Sequence, residues 1–104
     1  MISFSEKVFA AMKRIPKGKV STYREIAKFI GKPNAFRAVG NTCNKNPNAP
    51  RVPCHRVVKS DGRVGGYAFG EKKKILLLQN EGIKVKKGRI LNFEDCLLKT
   101  SEGR

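Results

Sequence analysis

Residues 21–44 read Ser21-Thr22-Tyr23-Arg24-Glu25-Ile26-Ala27-Lys28-Phe29-Ile30-Gly31-Lys32-Pro33-Asn34-Ala35-Phe36-Arg37-Ala38-Val39-Gly40-Asn41-Thr42-Cys43-Asn44. Thr22 with Glu25 three residues on has the spacing of a capping box, so a short helix opens there. Gly31-Lys32-Pro33 ends that helix in a tight turn, and Asn34 is placed to cap a second one. In the second helix Ala35, Ala38, Val39 and Thr42 mark one face and Arg37 another. Two short helices joined through a glycine-containing turn suggest a helix-turn-helix. On a basic chain the second helix is the one laid in a groove of DNA. A plain αα-hairpin packed in a core has the same spacing, so the pattern alone leaves both open.

Upstream, Phe4, Val8, Ala11, Met12 and Ile15 recur at helical spacing, giving a helix over Ser3–Arg14 with Ser3 or Ser5 as its N-cap. Pro16-Lys17-Gly18-Lys19 breaks it. Downstream, residues 44–53 hold three prolines and three further interruptions by asparagine, which suits a stiff extended loop and neither helix nor central strand. Val57-Val58-Lys59, Ser60-Asp61-Gly62 and Arg63-Val64 read as a β-hairpin with an Asp-Gly turn, the wing of a winged helix. Gly65–Gly70 is a connector. Glu71–Asn80 is a last helix, stopped by Gly82. The expected fold is mainly α with a small β-hairpin, a single winged helix-turn-helix-like domain over residues 1–87, followed by a tail over 88–104.

The 104 residues carry 23 Lys+Arg against 8 Asp+Glu, a net charge of +15, with 39% hydrophobic residues. One domain with a real core fits that length; a two-domain enzyme or an α/β barrel does not. No acidic residue falls between Glu25 and Asp61, where Lys28, Lys32, Arg37, Lys45, Arg51, Arg56 and Lys59 lie. Such a surplus points to a polyanion, with nucleic acid the leading partner. A uniformly basic proteome is the bland alternative. No apolar run approaches the roughly 18–20 residues of a membrane span, and the start lacks a signal peptide's blocks. The expectation is a soluble intracellular protein with no membrane partner.

Cys43, Cys54 and Cys96 form an odd set without a CxxC pair, and His55 is the single histidine. That is too few ligands for a four-coordinate zinc site and gives no disulfide framework, so no metal is expected and the thiols are read as reduced. The segment Pro53-Cys54-His55-Arg56-Val57-Val58 is where chemistry concentrates. Positive neighbours favour the thiolate of Cys54, and a histidine oriented by a carboxylate can serve as its base. Glu81, in Gln79-Asn80-Glu81-Gly82, is the acid assigned to orient His55, which reaches the sulfur directly or through a water. A buried inert cysteine beside a solvent histidine remains the plain alternative.

These residues resemble the C-terminal, DNA-binding and active-site domain of the O6-alkylguanine-DNA alkyltransferases, the methylated-DNA–protein-cysteine methyltransferases. The resemblance runs from about Ser3 to Gly82. PCHRVV is its most specific element. Ser21-Thr22-Tyr23, Arg37-Ala38-Val39-Gly40, Asn46-Pro47, Gly66-Tyr67 and Asn80-Glu81-Gly82 follow in the family order.

The resemblance implies that Arg37 enters duplex DNA from the minor groove and fills the space left by a flipped, alkylated guanine. Ala38 and Lys45 lie on the same DNA-facing helix. Tyr23 crowds the 3′ phosphate and donates to the purine N3. Cys54 accepts the alkyl group, with His55 and Glu81 setting its charge and Asn46 steadying its loop. Carbonyls near Cys54 and Val57 read the guanine amino group. Tyr67 walls the pocket, and Lys74 assists proton supply. The thioether product is not reversed, so each molecule reacts once, as a monomer, without a cofactor, in the cytoplasm and nucleoid or the nucleus.

Four departures bear on these expectations. The N-terminal domain of most members has no counterpart in this sequence. Position 68 is Ala where some members have a serine able to assist the leaving oxygen. Asn41-Thr42-Cys43 replaces a smaller or more apolar run, and the tail past Lys87, with Cys96, has no usable counterpart; packing of Phe93, Leu97 and Leu98 on the core is its structural reading. Two other functions compete. Alkyltransferase-like proteins bind lesions with this domain and summon excision repair, but carry Trp or Ala at the cysteine position. A winged-helix transcription factor leaves Pro-Cys-His-Arg, Asn46 and Glu81 unexplained.

Overall fold

The computed structural model describes residues 3–46 and 51–98. Its first helix, α1, spans Phe4–Met12, and of the two candidate caps Ser3 is the one used: its side chain accepts from the Glu6 amide. Val8, Ala11 and Met12 are its buried face. The chain then turns into a two-residue strand, β1 (Ser21–Thr22), and α2 (Tyr23–Phe29). Thr22 Oγ1 accepts from the Glu25 amide at 3.0 Å, so the expected cap forms.

The second helix of the corner, α3, spans Phe36–Asn44. Asn34 does not cap it. The N-cap is Ala35, without a side-chain bond, because the turn after Gly31 runs on through residue 34. The expected face of Ala35, Ala38, Val39 and Thr42 is also corrected. Val39 and Cys43 are buried while Ala38 is exposed, which turns Arg37 and Ala38 outward together. Arg24 of α2 stacks over the Phe36 ring, 4.2 Å to its centroid, bracing the corner.

A 3-10 turn, Cys54–Arg56, leads into β2 (Val57–Val58). Here the expected hairpin gives way to a different pairing. β2 runs parallel to β1, with Ser21 opposite Val57 and Thr22 opposite Val58. The Lys59–Arg63 turn closes on itself, but its outgoing limb bonds to residues 88–90 instead of continuing a ladder with β2. Buried β-branched residues at 57 and 58 explain the choice: with side chains alternating across the strand, each must face a core. Val57 packs in one apolar cluster, with Val8, Met12, Ile26, Val39 and Cys54. Val58 packs in the other, with Val20, Val64, Leu78, Ile83 and Ile90.

Helix α4 (Glu71–Asn80) follows a connector that is tied down rather than loose, since Gly66 O accepts from Lys74 and Gly70 N donates to Tyr67 O. Its end is a Schellman turn: Gly82, at φ 89°, allows Gly82 N to reach Gln79 O and Ile83 N to reach Leu78 O. The antiparallel hairpin of the molecule is β3 (Val85–Lys86) with β4 (Arg89–Ile90). A last turn, α5 (Phe93–Cys96), returns the chain to β1 through Val20 N to Cys96 O and Leu98 N to Val20 O. The architecture is therefore mainly helical with short strands. Residues 47–50, part of the expected proline-rich loop, lie outside the described residues.

Candidate active site

The 3-10 turn places Cys54 and His55 in succession, each only 2% exposed, with Cys54 in the apolar cluster that holds Val57. His55 Nε2 lies 2.9 Å from Glu81 Oε2. Glu81 stands at the C-cap of α4, where the Schellman turn fixes it. Arg56 then closes a fork on the same carboxylate: Nε donates to Oε1 at 2.9 Å and Nη2 to Oε2 at 2.7 Å, while Nη1 donates to Ile15 O at 2.8 Å. Sequence reasoning read Arg56 only as a positive neighbour of the thiol. No local feature of the sequence marks this arginine as enclosed rather than solvated.

The charges of this relay follow from its geometry. Burial works to raise the Glu81 carboxyl, but the bonds from Arg56 and His55 outweigh it and hold the group below the usual carboxylate range. Burial lowers the His55 imidazole, and the pull of Glu81 does not fully restore it. A neutral ring beside an ionised carboxylate must carry its proton on Nε2. Nδ1 is then the basic nitrogen, and it is buried without a hydrogen-bond partner among the described residues.

Cys54 corrects one expectation. Burial raises its thiol, and this exceeds the lowering by a hydrogen bond from Asn46 and by the Lys74 charge. The thiol is therefore the resting form, and the Arg56 charge is directed to Glu81. Asn46, 2% exposed, also donates from Nδ2 to Val52 O at 2.8 Å, bracing the approach to the cysteine from both ends.

Lys74 is fully buried and donates to three oxygens: Val57 O at 2.8 Å, Gly66 O at 3.0 Å and Tyr23 Oη at 3.4 Å. Burial brings its ammonium down to about 8. It ties α4 to β2, the connector and α2 at one point. Val57 O and Cys54 O each accept one such bond already, the latter from the amide of Val57, leaving one lone pair apiece. Tyr23 opens α2, its phenol raised by burial and then by Cys43 and Cys54. Cys43 itself is pushed up to about 12, chiefly by burial, with its thiol 3.5 Å from Met12 Sδ.

The remaining expected residues divide by exposure. Tyr67 has its hydroxyl buried without a hydrogen-bond partner among the described residues, and its phenol is raised by burial and by Cys54. Its ring meets Phe69 edge-on at 5.6 Å. Ala68 is exposed beside it. Arg37, Ala38 and Lys45 are exposed on α3 and its C-cap, and Arg37 makes no hydrogen bond or ion pair with any described residue. Among the described residues no group of His, Cys, Asp and Glu is arranged to hold a metal ion, and no helix is long and apolar enough to cross a membrane.

Comparison with known proteins meets this geometry. The family model described as the 6-O-methylguanine DNA methyltransferase DNA-binding domain matches residues 3–83. The chain is 52% identical over 79 residues to a methylated-DNA–protein-cysteine methyltransferase of Methanosarcina acetivorans, covering 76% of this chain and 51% of that protein. It is 51% identical over 78 residues to the Methanosarcina barkeri protein of the same name, covering 75% and 49%. The chain thus spans about half the length of these curated relatives. Among solved structures, Mycobacterium tuberculosis OGT in complex with DNA superposes with a TM-score of 0.75 at 44% identity, covering 77% of this chain and 49% of that one. S. pombe Atl1 in complex with damaged DNA containing O6-carboxymethylguanine superposes with a TM-score of 0.84 at 35% identity, covering 95% and 97%. With the relay, the buried cysteine and the outward arginine helix falling inside the matched span, the chain belongs to the 6-O-methylguanine DNA methyltransferase DNA-binding-domain family.

Proposed function

We propose that this chain repairs O6-alkylguanine in duplex DNA by moving the alkyl group, once, onto Cys54. The observation that carries the reading is the relay Arg56–Glu81–His55, which ends in a basic, unpartnered Nδ1 one residue from a buried thiol. The thiol is raised by burial, so it needs a base at the moment of reaction, and the relay supplies one. His55 Nδ1 takes the thiol proton, directly or through a water. The sulfur attacks the alkyl carbon, the C–S bond forms and the C–O6 bond breaks. The proton passes to the departing guanine, which leaves neutral.

O6 of a stacked guanine is out of reach of a buried sulfur, so the base must leave the helix. Arg37, exposed and unpaired within the fold, is suited to fill the gap from the minor groove, with the small Ala38 allowing close approach and Lys45 meeting phosphate. Tyr23, held by Lys74, is suited to crowd the neighbouring phosphate, Tyr67 to wall the pocket, and the free lone pairs of Cys54 O and Val57 O to accept from the guanine amine. The product is a thioether, a poor electrophile, and no group of this site could cleave it.

A second reading draws on the likeness in shape to Atl1, solved with damaged DNA: this chain would bind the lesion and transfer nothing. The presence of Cys54 in sequence beside the relay favours transfer. Intact-mass measurement after incubation with an O6-methylguanine duplex decides between them. Transfer adds one methyl in place of hydrogen on Cys54, and Cys54→Ser abolishes the gain. Tight lesion binding with unchanged mass establishes the binding-only reading instead.

A further inference from the structure

A notch of about 300 Å³ is lined by Lys59, Arg63, Gly65, Glu71, Lys87 and Gly88. Three cations face one carboxylate there. Lys59 and Lys87 make no ion pair with any described residue, while Arg63 reaches Asp61 at 3.5 Å through an exposed pair worth little. Two features make this more than a generic basic surface.

The first is its position. A Cβ at Gly65 would stand 3.3 Å from Tyr23 Oη and 3.4 Å from Lys59 Cγ, so the phenol end of Tyr23 and the stem of Lys59 converge on that glycine. The notch therefore begins where the candidate active site ends. The second is the turn that carries Lys87. Lys87 and Gly88 are the two loop residues of the β3–β4 hairpin, at φ 52° and 76°. Such a turn is best served by Asn-Gly, and a left-handed lysine is disfavoured. A cation held there against backbone preference points to a charge needed at that spot.

We propose that this notch seats a backbone phosphate of the DNA duplex next to Tyr23, held by Lys59 and Lys87 with Arg63 at its edge. The inference rests on the DNA-repair reading above and adds a contact beyond the family-matched residues 3–83. A phosphate seat adds affinity without sequence preference and releases counterions on binding.

Duplex affinity measured by fluorescence anisotropy across a salt series tests it. For Lys59→Gln/Lys87→Gly, in which glycine suits the left-handed turn, the slope of log K against log salt should fall in magnitude by about 2. Lys87→Asn, which also tolerates that backbone, should lower it by about 1. The control Lys13→Gln/Lys17→Gln removes as much charge from the end of α1 and should change the slope by less than half as much. An unchanged slope in the notch variants, or an equal change in the control, overturns the seat while methyl transfer to Cys54 still stands. Failure of the unmodified chain to bind duplex at any salt overturns both the seat and the reading it rests on.

Discussion

His55 Nε2 and Glu81 Oε2 stand 2.9 Å apart across 26 positions of sequence, and neither is free to move alone. Arg56 grips the far side of the same carboxylate, and the Schellman turn at Gly82 fixes its backbone. A carboxylate so pinned sets the ring's tautomer as well as its angle. The proton stays on Nε2, and the lone pair is presented at Nδ1.

Glu81→Gln preserves shape and removes that control, because an amide can accept or donate toward Nε2. Methyl transfer by single-turnover kinetics should slow by about 100-fold or more, the scale of a lost general base. Stability should fall as well, because Arg56 then lacks its counter-ion, so the rates are compared at a temperature where both proteins are fully folded. A rate equal to the unmodified chain would remove the relay from the chemistry.

The fork of Arg56 is a matter of stability first. Side-chain exposures of 18% for Arg56 and 12% for Glu81 leave the pair only lightly screened. Arg56→Met strands the carboxylate and the Ile15 carbonyl together, which should cost about 3 kcal/mol in denaturant unfolding. Arg56→Lys keeps a charge but not the two-pronged geometry, and should recover less than half of that loss.

Acid should act on the same residues. Below the ordinary histidine pKa an unfolded His55 takes a proton that the buried ring refuses, so the unfolded state binds more protons and stability falls as pH drops. Glu81, held below the usual carboxylate range, adds a second loss in the same direction as pH falls further, through its lowered folded value. Transfer rate should hold its plateau to lower pH than a solvent histidine allows, then decline as Nδ1 protonates. Stability and rate profiles of His55→Gln, which lacks the first step, check both.

Much of this arrangement was legible because local chemistry announced it. Thr22 and Glu25 gave a cap, Gly82 gave a helix stop, and Pro53-Cys54-His55 with Glu81 gave an adjacent cysteine and histidine with a carboxylate for the ring. What was hidden depended on long-range pairing. Val57-Val58 followed by Asp61-Gly62 has hairpin chemistry, yet two clusters compete for those valines and the strand satisfies both by lying parallel to Ser21-Thr22. Asn34 has the right side chain for a cap but the wrong backbone, one residue inside the turn. Arg56 and Lys74 are charges that the fold encloses, and nothing local in sequence tells an enclosed cation from a solvated one.

Arg37 offers a test that separates extrusion from transfer. The side chain is exposed and unpaired among the described residues, so Arg37→Ala should leave thermal stability within about 0.5 kcal/mol. Repair of an O6-methylguanine duplex should fall steeply, while reaction with free O6-alkylguanine base continues at its former rate. Parallel losses on the two substrates would place Arg37 in the chemical step and remove its role in flipping.

Lys74 carries the last prediction. Its ammonium is fully buried, and burial lowers it from the ordinary lysine value of 10.5 to about 8. Below pH 8 both folded and unfolded chains hold the proton, and the fold bears the full cost of an enclosed charge. Between 8 and 10.5 the unfolded chain still binds it and the native one does not, so stability rises with pH by about 3 kcal/mol from this group. Cys43, pushed up to about 12, works the other way above the ordinary thiol value, since the unfolded chain ionises first. Lys74→Met isolates the lysine part. The variant leaves Val57 O, Gly66 O and Tyr23 Oη without their donor, so it should be less stable at every pH while Lys74 rises in value as alkali is added. Unfolding curves of the two proteins between pH 7 and 9, about one unit either side of the lowered lysine value, should diverge. A constant gap means that native Lys74 releases no proton over this range, which would overturn the lowering to about 8.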